Sequence, residues 1–361
     1  MKNSLFRAFT LSLFRPLLLP FSLLLGFIAT FRRRLFRKTY LPTVPTICVG
    51  NLRVGGTGKS PFVEYLVKFL SQNHQIAILS RGYGRKTKGY LNAQEIETLC
   101  SEMIGDEPMM YAAQFPNVEV AVCEKRKIGI EKLLQKNPNL EGIILDDAFQ
   151  HLSVNYTLRI VLTEYERPFF KDFPLPAGNL REFKSAAKHA DIIVVTKCPE
   201  NLPTEEKELF LKKLKPRKGQ DIYFVGIRYD DEMMRRLDDK MIKNNSQLSI
   251  VNYQLSILLV TGIANPAPLV RYLEERYSKV HKLHFPDHHE FTKKDIDKII
   301  RLKEQLGGEN CTLLTTEKDA VRLQSFENMP EYHTVPIEIV FLDNEAAFKE
   351  KLLSLLKQKN A

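Results

Sequence analysis

The run Val54-Gly55-Gly56-Thr57-Gly58-Lys59-Ser60 stands directly behind the apolar stretch Thr46-Ile47-Cys48-Val49-Gly50, and residues of these types at this spacing make a phosphate cradle. Glycines allow the backbone to wrap N–H groups around a triphosphate, and Gly55, Gly56 and Gly58 flank Thr57 here. Lys59 can reach the β- and γ-phosphates, while the Ser60 hydroxyl can hold Mg²⁺ at the mouth of the next helix. The strict pattern G-x-x-x-x-G-K-[ST] wants glycine at position 53, where this chain has Arg53. An apolar strand before the run and an amphipathic helix after it, carrying Phe62, Tyr65, Leu66, Phe69 and Leu70, favour a nucleotide loop over an ordinary Gly-rich turn.

Such a loop needs a metal-holding carboxylate at the end of a neighbouring strand, and Gly142-Ile143-Ile144-Leu145-Asp146-Asp147 offers one. Asp146 is the Mg²⁺ candidate; the alternative is that the paired aspartates only cap the next turn. The following Ala148-Phe149-Gln150-His151 has no glycine where a D-x-x-G guanine switch requires one. Thr196-Lys197-Cys198-Pro199 lacks both the Asn and the terminal Asp of the guanine-reading N-K-x-D. ATP is therefore the expected nucleotide.

Three more polar clusters are turn-like: Ser80-Arg81-Gly82-Tyr83-Gly84-Arg85, Gly105-Asp106-Glu107-Pro108 and Gly178-Asn179-Leu180-Arg181-Glu182. Each could line a site or serve as a helix cap or turn. A last cluster, Phe285-Pro286-Asp287-His288-His289-Glu290-Phe291, has His281 and His284 upstream. Pro286 prevents a shared helical face, which argues against zinc and leaves packed histidines or a proton-handling His held by a carboxylate.

The elements that must position these residues alternate between strand and helix through the first half of the chain. Near-continuous apolar strands in that rhythm give an α/β fold, a phosphate-loop sandwich with helices on both faces of a parallel sheet. The polar, Lys- and Asn-rich stretch from Asp230 to Gln254 reads as a linker or inserted loop, and a second, smaller α/β unit follows it. Thr334 to Phe341 fits a final strand returning along Ile222 to Arg228, with Glu345 to Lys357 as a closing helix. The expected division is 1–38, 39–225 for the phosphate-loop domain, and 226–361 for the second unit with its linker strands and closing helix.

Eight positive charges, from Lys2 to Lys38, precede the first acidic residue, so the first 38 residues carry most of the net +10 of the 361-residue chain. The nearly neutral remainder argues against nucleic-acid binding. An apolar stretch from Pro16 to Phe31 lies within this head, interrupted by Pro20 and short of the roughly 20 residues that span a bilayer. With arginines at its edges it reads as a membrane-interface helix; packing against the protein's own core and a true single span are the alternatives. The five scattered cysteines read as buried thiols in a reducing compartment.

Taken in order, Gly55-Gly56-Thr57-Gly58-Lys59-Ser60, Ser80-Arg81-Gly82-Tyr83, Gly105-Asp106-Glu107-Pro108, Leu145-Asp146-Asp147-Ala148-Phe149-Gln150-His151, Gly178-Asn179-Leu180-Arg181-Glu182 and Asp287-His288-His289 resemble the tetraacyldisaccharide 4′-kinase family of lipid A synthesis. The match runs from the apolar head to about Arg322 and fades from Met329 onward. The resemblance implies a membrane-associated kinase on the cytoplasmic face of the inner membrane. Such a kinase moves the ATP γ-phosphate to the 4′-hydroxyl of an acylated glucosamine disaccharide 1-phosphate, giving lipid IVA. It also implies two α/β/α domains joined by a two-stranded linker, with the active site in the cleft between them.

By that resemblance Lys59 and Ser60 are the phosphate-loop lysine and hydroxyl, Asp146 and Asp147 the strand-end acid pair at the metal, and Asp106 with His288 the catalytic dyad. Either His288 or His289 could face Asp106. Arg181 steadies charge on the transferring phosphoryl group, and Glu107, Gln150, His151, Glu182 and Arg81 fall on the substrate side. No protein partner is evident in the sequence. Two rival readings use the same residues: a membrane-associated ATPase or switch regulating a membrane partner, and a lipid-docking scaffold with a vestigial loop.

Overall fold

The computed structural model of the protein describes residues 2–36, 39–229, 256–287 and 289–357. Its larger sheet has nine strands in the order β13-β8-β7-β6-β1-β5-β2-β4-β3. The strands are β1 (Thr46–Asn51), β2 (Ile76–Ser80), β3 (Leu91–Asn92), β4 (Glu119–Val122), β5 (Gly142–Leu145), β6 (Leu158–Glu164), β7 (Ile192–Thr196), β8 (Asp221–Tyr229) and β13 (Ile337–Phe341). The edge pairs β3–β4 and β13–β8 are antiparallel and all other pairs are parallel. Every residue of β1, β2, β5 and β7 is buried, as expected where helices cover both faces.

On one face, the helix after the phosphate loop packs Phe62, Leu66 and Leu70 beside Met109, Met110 and Tyr111 of the helix Asp106–Gln114. The C-terminal helix Glu345–Lys357 joins the same layer through Phe348, Leu352 and Leu356. The opposite layer includes Ile130 and Leu133 of the helix Arg126–Lys136. The smaller sheet is wholly parallel in the order β10-β9-β11-β12, from β9 (Ser256–Thr261), β10 (Lys279–His284), β11 (Cys311–Thr316) and β12 (His333–Val335). Both architectural expectations, an α/β sandwich and a smaller α/β unit, match these two sheets.

The antiparallel ribbon β8–β13 carries the chain out of the large sheet and back into it, with Tyr229 opposite Ile337. The closing strand and helix, grouped with the second unit on sequence, therefore pack on the larger sheet, because the apolar side of the helix meets Phe62 and Tyr65 there. The Asp230 to Gln254 segment lies outside the described residues. All five cysteines are free thiols, four of them buried.

Helix α1 (Lys2–Leu35) runs unbroken through Pro16 and Pro20, so its apolar window, Pro16–Leu35, is longer than the sequence suggested. By length and composition that window could cross a membrane. Its outer side exposes Leu17, Phe21, Leu24, Ile28 and Phe31. Its inner side rests on the body: Ser22 accepts from the Ala177 amide at 2.8 Å, and a Cβ on Gly26 would come within 2.4 Å of the Phe183 ring.

Candidate active site

The carboxyl ends of the parallel strands of both sheets converge, the position where open α/β sheets place their ligands. Here the phosphate loop leaves β1. Gly55 has φ 107° and Gly58 φ 81°, backbone that side chains with a Cβ rarely adopt, and a Cβ on Gly55 or Gly56 would meet nothing within 4 Å. The loop is braced from behind. Asn51 donates to the Thr57 hydroxyl at 2.7 Å, the Thr196 hydroxyl to the Thr57 carbonyl at 2.9 Å, and the Lys197 ammonium to the Gly56 carbonyl at 2.5 Å while pairing with Glu164.

Arg53, the departure from the strict pattern, has a structural use. Its guanidinium meets Asp172 at 3.2 Å and Glu164 at 3.6 Å, tying down the outer flank of the loop. The segment Asn179–Arg181 runs alongside, with Val54 donating to the Asn179 carbonyl and Arg181 to that of Leu52, both at 2.8 Å. This track aims Arg181 at Asp147, which accepts from one guanidinium nitrogen at 2.9 Å on both oxygens; the Lys59 ammonium is 3.8 Å from the same carboxylate. Burial alone would raise the Asp147 pKa, but Lys59 and Arg181 hold it below the usual carboxylate range. Asp147 has φ 46°, a left-handed backbone that costs energy in a non-glycine residue and turns the strand end sharply toward these cations.

Asp146 is buried, and its Oδ1 has no hydrogen-bond partner among the described residues. Burial and the neighbouring Glu107 push its carboxyl up to about 7. Glu107 accepts from the Ser60 hydroxyl at 2.9 Å. An orphaned carboxylate oxygen, a serine hydroxyl and a second acid fit Mg²⁺, which typically takes one or two carboxylates and completes its shell with water and phosphate oxygens. Asp146 and Ser60 are the donors that fit; Asp147, already engaged by two cations, is placed beside them.

Asp106 opens the helix Asp106–Gln114 and is gripped from the other unit. Arg322 Nε donates to its Oδ2 at 2.8 Å, and Nη1 of the same guanidinium donates to the fully buried Asp319 at 3.1 Å. Asp319 in turn accepts from the Gly262 amide at 2.9 Å and from the Thr316 hydroxyl at 2.7 Å, which fastens Arg322 to the ends of β9 and β11. Gln114 donates to Glu317 at 2.7 Å across the same gap. His288 lies outside the described residues. His289 bonds Asp295 at 3.1 Å, within the capping box of the helix Lys293–Gln305.

Of the remaining residues expected on the substrate side, Glu182 and Gln150 form a second network. Glu182 accepts both oxygens' bonds from Arg33 of α1 at 2.9 Å and one from Gln150 at 3.0 Å, while the Gln150 carbonyl accepts from Arg32 at 2.9 Å. His151 is bonded to the Ser153 hydroxyl at 2.7 Å; burial and the charges of Arg126, Arg32 and Arg81 lower its pKa to about 4, so the ring is neutral at neutral pH. Arg81 is exposed just past the end of β2. Sequence reasoning missed Arg322, Asp319, Lys197 and Arg33. The run Thr315-Thr316-Glu317-Lys318-Asp319, a strand end passing into a capped helix, was the available signal for the first two.

A braced glycine loop after the first strand, a strand-end acid with an open oxygen and two cations converging on its neighbour define a phosphate-loop enzyme that transfers phosphoryl groups. The family model described as tetraacyldisaccharide-1-P 4′-kinase matches residues 14–357, and the chain belongs to that family. A tetraacyldisaccharide 4′-kinase of Flavobacterium johnsoniae is 40% identical, covering 96% of this chain and 99% of its own length. That of Bacteroides thetaiotaomicron is 40% identical over 94% of this chain and 93% of its own. The crystal structure of the Aquifex aeolicus family member in complex with ATP aligns with a TM-score of 0.70 at 28% identity, over 95% of this chain and 99% of that one.

Proposed function

We propose that the chain transfers the γ-phosphate of ATP to the 4′-hydroxyl of an acylated glucosamine disaccharide 1-phosphate, yielding lipid IVA, with Asp106 and His288 as the base dyad. The observation that carries the assignment is the Ser60–Glu107 hydrogen bond of 2.9 Å, which ties the helix bearing Asp106 to the phosphate-loop hydroxyl. A base on that helix would act next to the phosphate loop. Lys59 and Arg181, converging through Asp147, supply positive charge where negative charge spreads over the transferring phosphoryl oxygens. Asp146 and Ser60 would hold Mg²⁺, which when bound neutralises charge on the phosphates. Asp106 takes the proton of the sugar hydroxyl as the hydroxyl oxygen attacks the γ-phosphorus and the bond to the β-phosphate breaks, releasing ADP, and Arg322 fixes the orientation of that carboxylate.

The acceptor's four acyl chains keep it in a bilayer, so the cleft must come to the membrane surface. Helix α1 touches the body at Ser22, Gly26, Phe27, Arg32 and Arg33. Those contacts extend over about 17 Å of helix, at 1.5 Å per residue, and they favour a helix lying in the interface over one passing straight through the hydrocarbon. The need for ATP favours the cytoplasmic face of the inner membrane.

Measuring ATP consumption with and without acylated disaccharide monophosphate tests the assignment. Turnover that depends on the lipid supports it; equal turnover in its absence would instead indicate an ATPase or switch.

A further inference from the structure

An open cavity of about 340 Å³ lies beneath the C-terminal end of α1. Four cations line it: Arg33, Arg159, Lys188 and Arg217; the described lining residues include no carboxylate. Two of the four are neutralised nearby, Arg33 by Glu182 and Arg217 by Asp191 at 3.2 Å. Among the described residues the Arg159 guanidinium donates to the Asn155 amide oxygen at 2.8 Å and lies 5.9 Å from the Tyr156 ring centre, with no carboxylate partner, and Lys188 makes no ion pair. Burial first, then the charges of Arg33, Arg159 and Arg217 against that of Glu182, hold His189 below the ordinary histidine range. Phe149 and Tyr156 form apolar walls, and the exposed Phe31, Leu35 and Phe36 continue from the mouth along the outer side of the helix.

Arg159, Lys188 and Arg217 lie apart from the phosphoryl-transfer centre, although the cavity wall also includes His151, one of the residues expected on the substrate side. Arg159 is the second residue of β6, Lys188 precedes β7 and Arg217 precedes β8, all at the amino ends of the strands. The phosphate loop lies at the carboxyl ends, where Glu164, the last residue of β6, pairs with the lysine that braces Gly56. Five strand residues at about 3.3 Å each separate the Arg159 and Glu164 backbones by about 16 Å.

We propose that this cavity seats the phosphate headgroup of an anionic bilayer phospholipid, held by Arg159 and Lys188, with its acyl chains lying along the exposed apolar side of α1. The proposal rests on the membrane-interface reading of α1. A cationic headgroup such as choline is repelled by the same lining, so the site distinguishes anionic from zwitterionic lipids. The competing source of the same chemistry is the acceptor's own 1-phosphate, which the placement at the amino ends of the strands disfavours.

The full chain in neutral detergent is titrated calorimetrically with short-chain phosphatidylglycerol and, separately, with phosphatidylcholine of equal chain length. Saturable binding of about one phosphatidylglycerol per chain is expected, and none of phosphatidylcholine. At about fivefold per cation facing an anionic lipid, Arg159→Gln with Lys188→Gln weakens binding by about 25-fold, and each single variant by about fivefold. Unchanged ATP binding in the variants verifies their fold. Equal binding of both lipids, undiminished binding by the double variant, or displacement of phosphatidylglycerol by the acylated acceptor overturns the proposal. Because no bilayer is present, loss of vesicle attachment by the wild type would contradict the reading of α1 without altering this titration, and kinase activity in the same sample is scored independently.

Discussion

Arg322 on the smaller unit holds Asp106 on the larger one, at 2.8 Å from Nε and 2.7 Å from Nη2, although 216 positions separate them in the chain. The guanidinium is almost fully buried and also grips Asp319, so the orientation of the Asp106 carboxylate depends on how the two sheets meet. We expect Arg322→Gln to lower kcat by about 100-fold, the scale of a displaced general base, with little change in the KM for ATP. Arg322→Lys should recover part of the loss by keeping one contact. Asp106→Asn and His288→Ala should depress kcat at least as far while ATP still binds; steady-state kinetics with equilibrium ATP binding checks all four.

The open Oδ1 of Asp146 predicts a change in metal demand. Asp146→Asn should raise the Mg²⁺ concentration for half-maximal activity by about tenfold or more, since losing a group that holds or orients a metal commonly costs 10- to 100-fold in affinity. Magnesium titrations at saturating ATP provide the comparison. An unchanged requirement would move the metal to other donors.

Much of this site was legible in the sequence because it is built locally. The glycine loop, the apolar strand ending in Asp146-Asp147 and the return of the last strand along β8 are each written in a short run whose type and period survive folding. Arg53 looked like a defect because its partners, Glu164 and Asp172, lie more than a hundred positions away. Arg322 was hidden for the same reason. Helix α1 looked broken at Pro20, where proline removes a donor and crowds the carbonyl one turn back, yet docking at Ser22 and Gly26 holds the helix through that point. The four-residue helix Ser101–Ile104 and the helix Asp106–Gln114 lay in a polar stretch with no strong period, so Gly105-Asp106-Glu107-Pro108 was readable as a turn as easily as a helix start.

Glu64 gives a pH dependence of known sign. It is buried on the helix behind the phosphate loop, and burial followed by the charge of Glu317 pushes its carboxyl from 4.5 up to about 8. The folded protein therefore keeps a proton there that the unfolded chain releases near pH 4.5. Stability from this group is complete below about 4.5 and declines as pH rises toward about 8. Glu64→Gln should flatten the fall in Tm between pH 5.5 and pH 8.5 and stabilise the protein most at the upper end, as scanning calorimetry would record. A steeper fall in the variant would show that Glu64 is charged in the fold.

Gly26 allows the docking of α1 to be tested without altering its apolar character. A larger side chain there collides with the Phe183 ring, so Gly26→Leu should lift the helix from the body and weaken the Arg33–Glu182 contact. The variant should remain in the washed membrane fraction while its KM for the acylated acceptor rises several-fold. Deleting residues 1–38 should release the protein from membranes altogether. Sedimentation with membranes and acceptor-dependence curves separate the two effects.

The central claim is that a phosphoryl group passes from ATP to a lipid-borne sugar. Incubating the protein with γ-labelled ATP, Mg²⁺ and an acylated glucosamine disaccharide 1-phosphate, then partitioning into organic solvent, reads this directly. Label should appear in a lipid-soluble product bearing a new 4′-phosphate, and should vanish with Lys59→Ala. Label found only as inorganic phosphate, with the lipid recovered unchanged, would contradict the account.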